Sequence, residues 1–371
     1  MFVLKMRAAS TRYVGGWLQS FIAAVRGDIW GYAIVFLYSL LCIVLLALTG
    51  RFDLSSHERY LGQWTYLYLF IFPLFSVVLL MMRSLLRYQL QGVRICFRAL
   101  SSHRTGKFAG GMAMMMGLML FIGNFTTIKN LFPVMHDGFP FDRVTADVDQ
   151  WLHFGHAPSE LLYRLPGLSL TLPFIELNYS LLWSVFCFGG LFFTVATARS
   201  PLMRMRYILM FMIVWIVCGN VLAGVFLSAG PVYYGAVTGD SERFAHIGAF
   251  LAAGSEPSSA AMFQSYLWTL YERGEAGFGS GISAFPSVHV ALATMNALFL
   301  GERARWLGLL GAFYVAVILA SSVLLGWHYA VDGYVSIAVV LLAHFALRHW
   351  LEGRGAAGED RYWQPAAVPA E

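Results

Sequence analysis

Charge is what this chain has least of. Asp, Glu, Lys and Arg make up 12% of its 371 residues and hydrophobic residues 58%, where ordinary soluble domains are about 25% charged. A surface so poor in charge cannot face water over most of its area, which excludes an ordinary soluble enzyme. Cysteine is scarce as well. Cys42, Cys96, Cys187 and Cys218 show neither the pairing pattern of a disulfide framework nor the spacing of a metal site, and they read as small apolar fillers. No basic stripe is present: the arginines are scattered beside apolar runs, so nucleic acid is not an expected partner. Strand-like alternation is missing, which argues against a transmembrane barrel. The segment Met1 to Gly27 is basic and mildly amphipathic. It lacks the compact apolar core and small-residue cleavage site of a signal peptide, so residues 1–28 are expected to form a retained amphipathic helix on the cytoplasmic surface.

Long apolar runs are what the chain has instead. Eight are near the ~20 residues that span a bilayer: Ile29–Thr49, Trp64–Met82, Gly110–Ile128, Leu172–Ala198, Tyr207–Ser228, Pro286–Leu300, Trp306–Leu325 and Tyr329–Trp350. Backbone polar groups must be satisfied inside lipid, so these runs are expected to be helices. The fold class is therefore all-α, a polytopic membrane bundle of about eight helices. Lysine and arginine collect in alternate loops, for example Arg83, Arg87, Arg94, Arg98, Arg104 and Lys107, then Arg199, Arg204 and Arg206. The intervening loops carry the acids, including Asp137, Asp142, Asp147, Asp149, Asp240, Glu242, Glu256 and Glu272. By the positive-inside rule both termini lie in the cytoplasm. The long loops 129–171 and 229–285 then lie outside, and a bacterial inner membrane suits the chain. The Gly/Ala/Pro-rich tail from Gly353 is expected to be disordered.

Three short stretches fall at the outer ends of these spans: Ser228-Ala229-Gly230-Pro231, Ala284-Phe285-Pro286-Ser287-Val288-His289, and Gly326-Trp327-His328-Tyr329-Ala330-Val331-Asp332. Charge bias alone sets the topology, yet it brings all three to one face. Pro286 suits the first turn of a helix, whose free N–H groups favour an anion. Ser287 adds a hydroxyl, and His289 stands one turn in as a proton donor. His328 and Asp332 are four apart, on one helix face. An aspartate bonded to one imidazole nitrogen makes the other a better nucleophile. A lone interfacial histidine is more often only a polar anchor; two in such contexts on one face point to phosphate chemistry.

These stretches resemble the phosphatidic acid phosphatase type 2 superfamily, which shows Pro-Ser-Gly-His and then Ser-Arg, five residues, His, three residues, Asp. Pro286-Ser287-Val288-His289 fits apart from Val288, and Ser321-Ser322 precedes His328 and Asp332 at the matching spacing. Ala-Phe-Pro-Ser-Val-His and Ser-Ala-Gly-Pro-Val-Tyr-Tyr at 228–234 are closer to the branch of the fungal inositol phosphorylceramide synthases. The resemblance implies a six-helix catalytic core over 110–352, with two extra spans and a basic loop over 29–109. It implies that His328 attacks phosphorus to form a phosphohistidine, that Asp332 orients it, and that His289 protonates the leaving alkoxide and then deprotonates the acceptor. Ser287 and the helix N–H groups would hold the phosphoryl oxygens, with neither metal nor cofactor required.

One shortage inside the motifs matters most. The superfamily usually places a lysine and two arginines where this chain has Ala223, Gly230 and Ser322, so three cationic phosphate clamps are missing. Arg243 and Arg273 in the second long loop are candidate substitutes, although solvated loop arginines are the plainer reading of both. A phosphodiester carries one negative charge and needs less clamping than a monoester. Pro286, Ser322, Gly230 and Tyr233 are further candidates for the phosphate or substrate site. Tyr233 also suits an interfacial anchor, and Glu176 is either a pocket group or a helix cap. Asn124, Asn220 and Asn296 lie within spans as helix-to-helix hydrogen-bonding groups.

The expected activity is a phosphotransferase moving a phosphate-containing headgroup from a lipid phosphate donor to a lipid or small-molecule acceptor. Two alternatives stay open beside it. A lipid phosphatase would use water as acceptor. A polyprenyl-phosphate-sugar glycosyltransferase would draw on Asp147-Val-Asp149, while a transporter or other non-enzymatic membrane protein would have kept only the fold. Oligomeric state is not legible.

Overall fold

The computed structural model describes residues 2–88, 101–197, 200–253 and 257–355, and within them every regular element is a helix. Seven helical segments are long and apolar enough to cross a membrane: Ile29–Thr49, Phe52–Leu79, Ser102–His136, Leu172–Thr197, Pro201–Val225, Arg305–Leu324 and Ala330–Leu351. They match seven of the eight expected spans and make the chain an integral membrane helix bundle. The eighth differs. Val288–Arg303 has only 16 residues, about 24 Å at 1.5 Å per residue, short of the ~30 Å of a hydrocarbon core. It packs as one arm of an antiparallel hairpin with Arg305–Leu324 and against Ala330–Gly355. Eight of its residues, Val290 to Ala297, are buried without a break. Its burial by neighbouring helices removes the need for full spanning length.

Several edges also moved. Ser102–His136 runs past the expected end at Ile128, which places Lys129 inside a helix and not in a loop. The last helix continues to Gly355; the remainder of the tail, 356–371, lies outside the described residues, as do Arg94, Cys96, Arg98, Arg199 and Glu256. Phe2–Gly27 is a helix that packs along Ser102–His136. Cys42, Cys187 and Cys218 are buried and unpaired.

Polar groups inside the bundle join helices, as lipid demands. Asn124 bonds His57 Nε2 at 2.8 Å and Ser39 Oγ at 2.7 Å. Tyr38 donates to Asn220, and Tyr207 donates to Asn296 at 2.6 Å. Three spans contain a wide, π-type turn, at Leu67–Ile71, Asn178–Leu182 and Val214–Leu222. Such turns rotate side chains out of the regular register and recur at functional sites. The last two border the cavity described below. Over one end of the bundle lie the loop helices Asp142–Leu152, Pro158–Tyr163, Ala245–Ala252 and Ser259–Arg273. The basic residues gather at the other end, where Arg204 pairs with Asp28 at 2.7 Å and Glu302 meets Arg206 and His344.

Candidate active site

Backbone hydrogen bonds knit the three motif stretches into one unit beneath the loop helices. The Ala284 N–H donates to the Ser228 carbonyl at 2.7 Å, Val232 N–H to Gly326 at 3.0 Å, and Ser287 N–H to Asp332 at 3.3 Å. Ser336 Oγ adds a bond to the Ser287 carbonyl at 2.8 Å. Asp142, fully buried at the start of its loop helix, straps them together. Its carboxylate accepts from Ala229 N at 2.6 Å, Gly230 N at 2.9 Å and the Tyr329 hydroxyl at 2.8 Å. Burial pushes that carboxyl up to about 6, with its three donors acting against the shift. Asp149, two turns further along the same helix face, accepts from Val331 N at 2.9 Å. The acidic loop thus holds the motif backbone. Asp147 instead pairs with Arg243 at 2.7 Å.

His328 sits in the turn between the last two spans, with its ring at the wall of a cavity of about 540 Å3. Its Nδ1 lies 2.7 Å from the Ala284 carbonyl and 3.4 Å from Asp332 Oδ2. The hydrogen-bond acceptor is therefore the carbonyl, where the spacing had pointed to the carboxylate. Asp332 Oδ2 takes the Tyr329 N–H at 3.0 Å, and its buried Oδ1 has no hydrogen-bond partner among the described residues. A carbonyl can only accept, so Nδ1 carries the proton and Nε2 keeps a free lone pair. Burial pushes the imidazole down to about 3; the bond to Ala284 opposes this and the charge of Lys129 adds to it. The ring is neutral at physiological pH, the form a nucleophile needs.

His289 faces the same cavity from the first turn of the short helix. Its ring stacks on Trp183 (3.9 Å between centroids) and on Tyr179 (4.3 Å). The Trp183 indole also donates to the His289 carbonyl at 3.0 Å. Tyr179 and Trp183, four apart on one helix face, lie side by side against this ring at the wide turn Asn178–Leu182.

One wall of the cavity is apolar and aromatic. Trp64 meets Phe188 edge-on at 4.5 Å, Phe125 meets Trp215 at 4.5 Å, and Ile122 completes that wall. A polar end with two histidines and an aromatic arm deep among the helices suits a ligand with a charged head and a hydrocarbon tail.

The other expected site residues divide. Pro286 and Tyr233 line the cavity, the Tyr233 hydroxyl donating to the Gln264 carbonyl at 2.9 Å. Glu176 also borders it, but its carboxylate caps Ser259–Arg273, accepting from Ser258, from the Ser259 hydroxyl at 2.9 Å and from Ala260 N at 3.1 Å. Ser287 is fully buried as the cap of its helix, accepting from Val290 N. Ser322 is fully buried, its hydroxyl donating to Leu319 at 2.7 Å and its carbonyl accepting from Trp327 N at 3.0 Å. Gly230 stands behind the wall with φ +103°, where a Cβ would come 2.6 Å from the Trp327 carbonyl. A side chain there would collide with the turn that carries His328, which accounts for the missing arginine. The structure does not bring Arg243 or Arg273 to the histidines. Arg243 is held by Asp147, by Gln150 at 2.7 Å and by Tyr234 at 2.8 Å. Arg273 borders a separate polar cavity of about 490 Å3 beside Arg51.

Lys129, Asp142, Tyr179 and Trp183 were not singled out from the sequence. Lys129 follows an apolar run directly and looks there like a membrane-flanking anchor. Asp142 is one acid among many in its loop. Only the aromatic pair at i, i+4 left a signal, and that pattern is usually core packing.

Among known families, residues 145–346 match the PAP2 superfamily. No curated protein and no solved structure matches the chain. The match takes in His289, His328 and Asp332 and covers more than half the sequence: the chain belongs to the PAP2 superfamily, the group of lipid phosphatases and phosphotransferases.

Proposed function

We propose that this protein is a membrane phosphotransferase that moves a phosphate-containing headgroup between lipids through a phosphohistidine at His328. The observation that carries this reading is the His328 ring: Nδ1 is tied to the Ala284 carbonyl at 2.7 Å, and the free Nε2 shares a cavity wall with His289. In the first half-reaction the Nε2 lone pair attacks phosphorus and the bond to the leaving alcohol breaks. That oxygen takes a proton from the His289 imidazolium. In the second, an acceptor hydroxyl gives its proton to His289 as its oxygen attacks phosphorus, and the P–N bond breaks to restore His328. The phosphorylated ring carries positive charge, which the Asp332 carboxylate, with Oδ2 3.4 Å from Nδ1, is placed to offset. When protonated in the first half-reaction, the His289 ring has the faces of Tyr179 and Trp183 against it, a cation–π arrangement.

The aromatic arm supports a lipid on at least one side of the exchange. The resemblance of 284–289 and 228–234 to the inositol phosphorylceramide synthases suggests a polyol-phosphate donor and a ceramide-like acceptor. Basic residues gather at the end opposite the cavity, which by the positive-inside rule supports a site on the outer face with both termini inside.

The test is to incubate purified protein in detergent with phospholipids labelled at phosphorus, beside His328→Ala. The expected result is an acid-labile, base-stable label on the protein, chased onto an added lipid alcohol and absent from the variant. Label released only as water-soluble phosphate would make the protein a phosphatase. Turnover that survives His328→Ala would refute the mechanism.

A further inference from the structure

The cavity that holds both histidines has cationic help of its own, from a helix that precedes the family match. Lys129 lies on Ser102–His136 and lines this cavity, the one lysine or arginine among the described residues that does so. No described residue gives its ammonium a hydrogen bond or an ion-pair partner; the only acid on the same wall, Glu176, is occupied by the cap of Ser259–Arg273. A half-buried lysine inside a membrane helix, lining a cavity without a counter-charge, is costly and marks a place where an anion is expected.

The stem of this lysine is also packed. Gly281, at φ +87°, lies directly on it: a Cβ there would come 3.0 Å from the Lys129 Cβ and Cγ. Ser280, next to Gly281, is pinned by a bond from its hydroxyl to Asn130 Oδ1 at 2.8 Å. The 279–282 segment therefore lies close against the base of the lysine side chain, which lines the cavity.

We propose that Lys129 is the phosphate-binding cation of this site, in place of the three clamps lost at Ala223, Gly230 and Ser322, and that it makes the site selective for phosphodiester donors. This rests on the phosphotransfer reading above and deepens it. In the proposed first half-reaction the charge of the His289 imidazolium is balanced by the Asp332 carboxylate, so one ammonium is left to neutralise the single charge of a phosphodiester. A monoester dianion would leave one negative charge unpaired beside an apolar arm, and an uncompensated buried charge is strongly disfavoured. The neighbouring positions cannot supply a second cation, since Gly230 has no room for a side chain and Ser322 is fully buried.

Two measurements test this on the full-length protein in detergent, with Lys129→Met, Lys129→Gln and Lys129→Arg. The first is the kcat and KM of His328-dependent labelling with a phosphodiester lipid and with a lipid phosphomonoester. Wild type should favour the diester. Lys129→Met and Lys129→Gln should lose about 10- to 100-fold in kcat/KM for the diester, the size of one charge-assisted bond, mainly through KM. Lys129→Arg should recover most of it. A merely structural lysine would lower kcat for both donors alike and leave their ratio unchanged. The second measurement needs no turnover: inorganic phosphate should raise the thermal unfolding midpoint of wild type and of Lys129→Arg, but not that of the Met and Gln variants. Wild-type KM in both neutral variants, or equal stabilisation of them by phosphate, would overturn the proposal. If wild type forms no phosphohistidine while phosphate still stabilises it through Lys129, the chemistry fails and the anion site stands. If phosphate stabilises no form of the protein, the anion site fails.

Discussion

Asp142→Ala should cripple the site without touching the cavity, and the cost can be worked from three hydrogen bonds. The variant leaves Ala229 N–H, Gly230 N–H and the Tyr329 hydroxyl without their acceptor in a buried place. A buried donor left unsatisfied costs about 1–3 kcal/mol, so the strap is worth at least ~3 kcal/mol. Asp142→Asn is milder. Its amide oxygen can keep the two bonds now made by Oδ1, but its nitrogen then faces the Ala229 N–H, a donor against a donor. About 2 kcal/mol is expected there. The damage reaches the chemistry by a short path. Ala229 and Gly230 position the Ser228 carbonyl, which holds Ala284 N–H, and the Ala284 carbonyl holds His328 Nδ1. A displacement of about 1 Å at a reacting group can cost ~100-fold. We therefore expect about 100-fold slower phosphohistidine formation in Asp142→Ala and about 10-fold in Asp142→Asn. Single-turnover labelling measures this, beside thermal unfolding in detergent. Asp147→Asn is the control: its carboxylate is largely exposed and pairs only at the surface with Arg243, where such pairs contribute about 0–1 kcal/mol. Equal effects of the Asp142 and Asp147 variants, or a wild-type rate in Asp142→Asn, would refute the strap.

Three further outcomes follow from the same geometry. His328 is held down to about 3 by burial, so the neutral ring is favoured in the folded state. Its contribution to stability is present above the unfolded value of about 6.5 and is lost as pH falls from there toward 3. Single-turnover labelling should accordingly show no loss of nucleophile between pH 7 and 5, and an acid limb centred near 6.5 would contradict the buried ring. Gly230→Ala forces a Cβ to within 2.6 Å of the Trp327 carbonyl at a positive φ, which costs about 1–3 kcal/mol in strain; labelling should fall at least ~10-fold, and a wild-type rate would show that the His328 turn yields freely. Trp64→Ala opens the aromatic arm where it meets Phe188, so competition between donors of different chain length should shift toward longer chains; an unchanged preference would place the tail elsewhere.

How much of this was legible depends on what kind of information each part used. Apolar runs, charge bias and motif order were enough for the helical bundle and for the meeting of Pro286, His289, His328 and Asp332 at one end, because topology and local spacing are both linear in the chain. The acceptor for His328 was not legible, since Ala284 acts through a backbone carbonyl that every residue has. Ser287 follows the family pattern and Ser322 stands where the family has arginine, yet the hydroxyls of both are spent, on Val290 N–H and the Leu319 carbonyl. The wide turns at Asn178–Leu182 and Val214–Leu222 arise from packing between helices and leave no local mark. Lys129 failed for a different reason: the apolar run stops beside it, and only the continuation of the helix to His136 turns a flanking cation into an interior one.

That last point bears on how the chain divides its labour. The family match begins at residue 145 and holds the two histidines and the aspartate. Lys129, and the cavity-lining Tyr60 and Trp64, all come earlier. Tyr60 is joined to the far side of the site by the Gly279 N–H, which donates to its hydroxyl at 3.2 Å, and by its ring contact with Phe278 at 5.5 Å. The segment 278–282 that lies against Lys129 is thus braced from the N-terminal helices as well. Under the proposed function, the groups needed to break and make a phosphorus–oxygen bond lie in the shared part of the chain. The cation and much of the wall that would choose the donor lie before it. Residues that form bonds to phosphorus are constrained by the reaction, whatever its substrate. A helix before the matched residues is free to change the charge and shape of the cavity, and under the proposed role of Lys129 such a helix offsets the loss of the family's clamps at Ala223, Gly230 and Ser322.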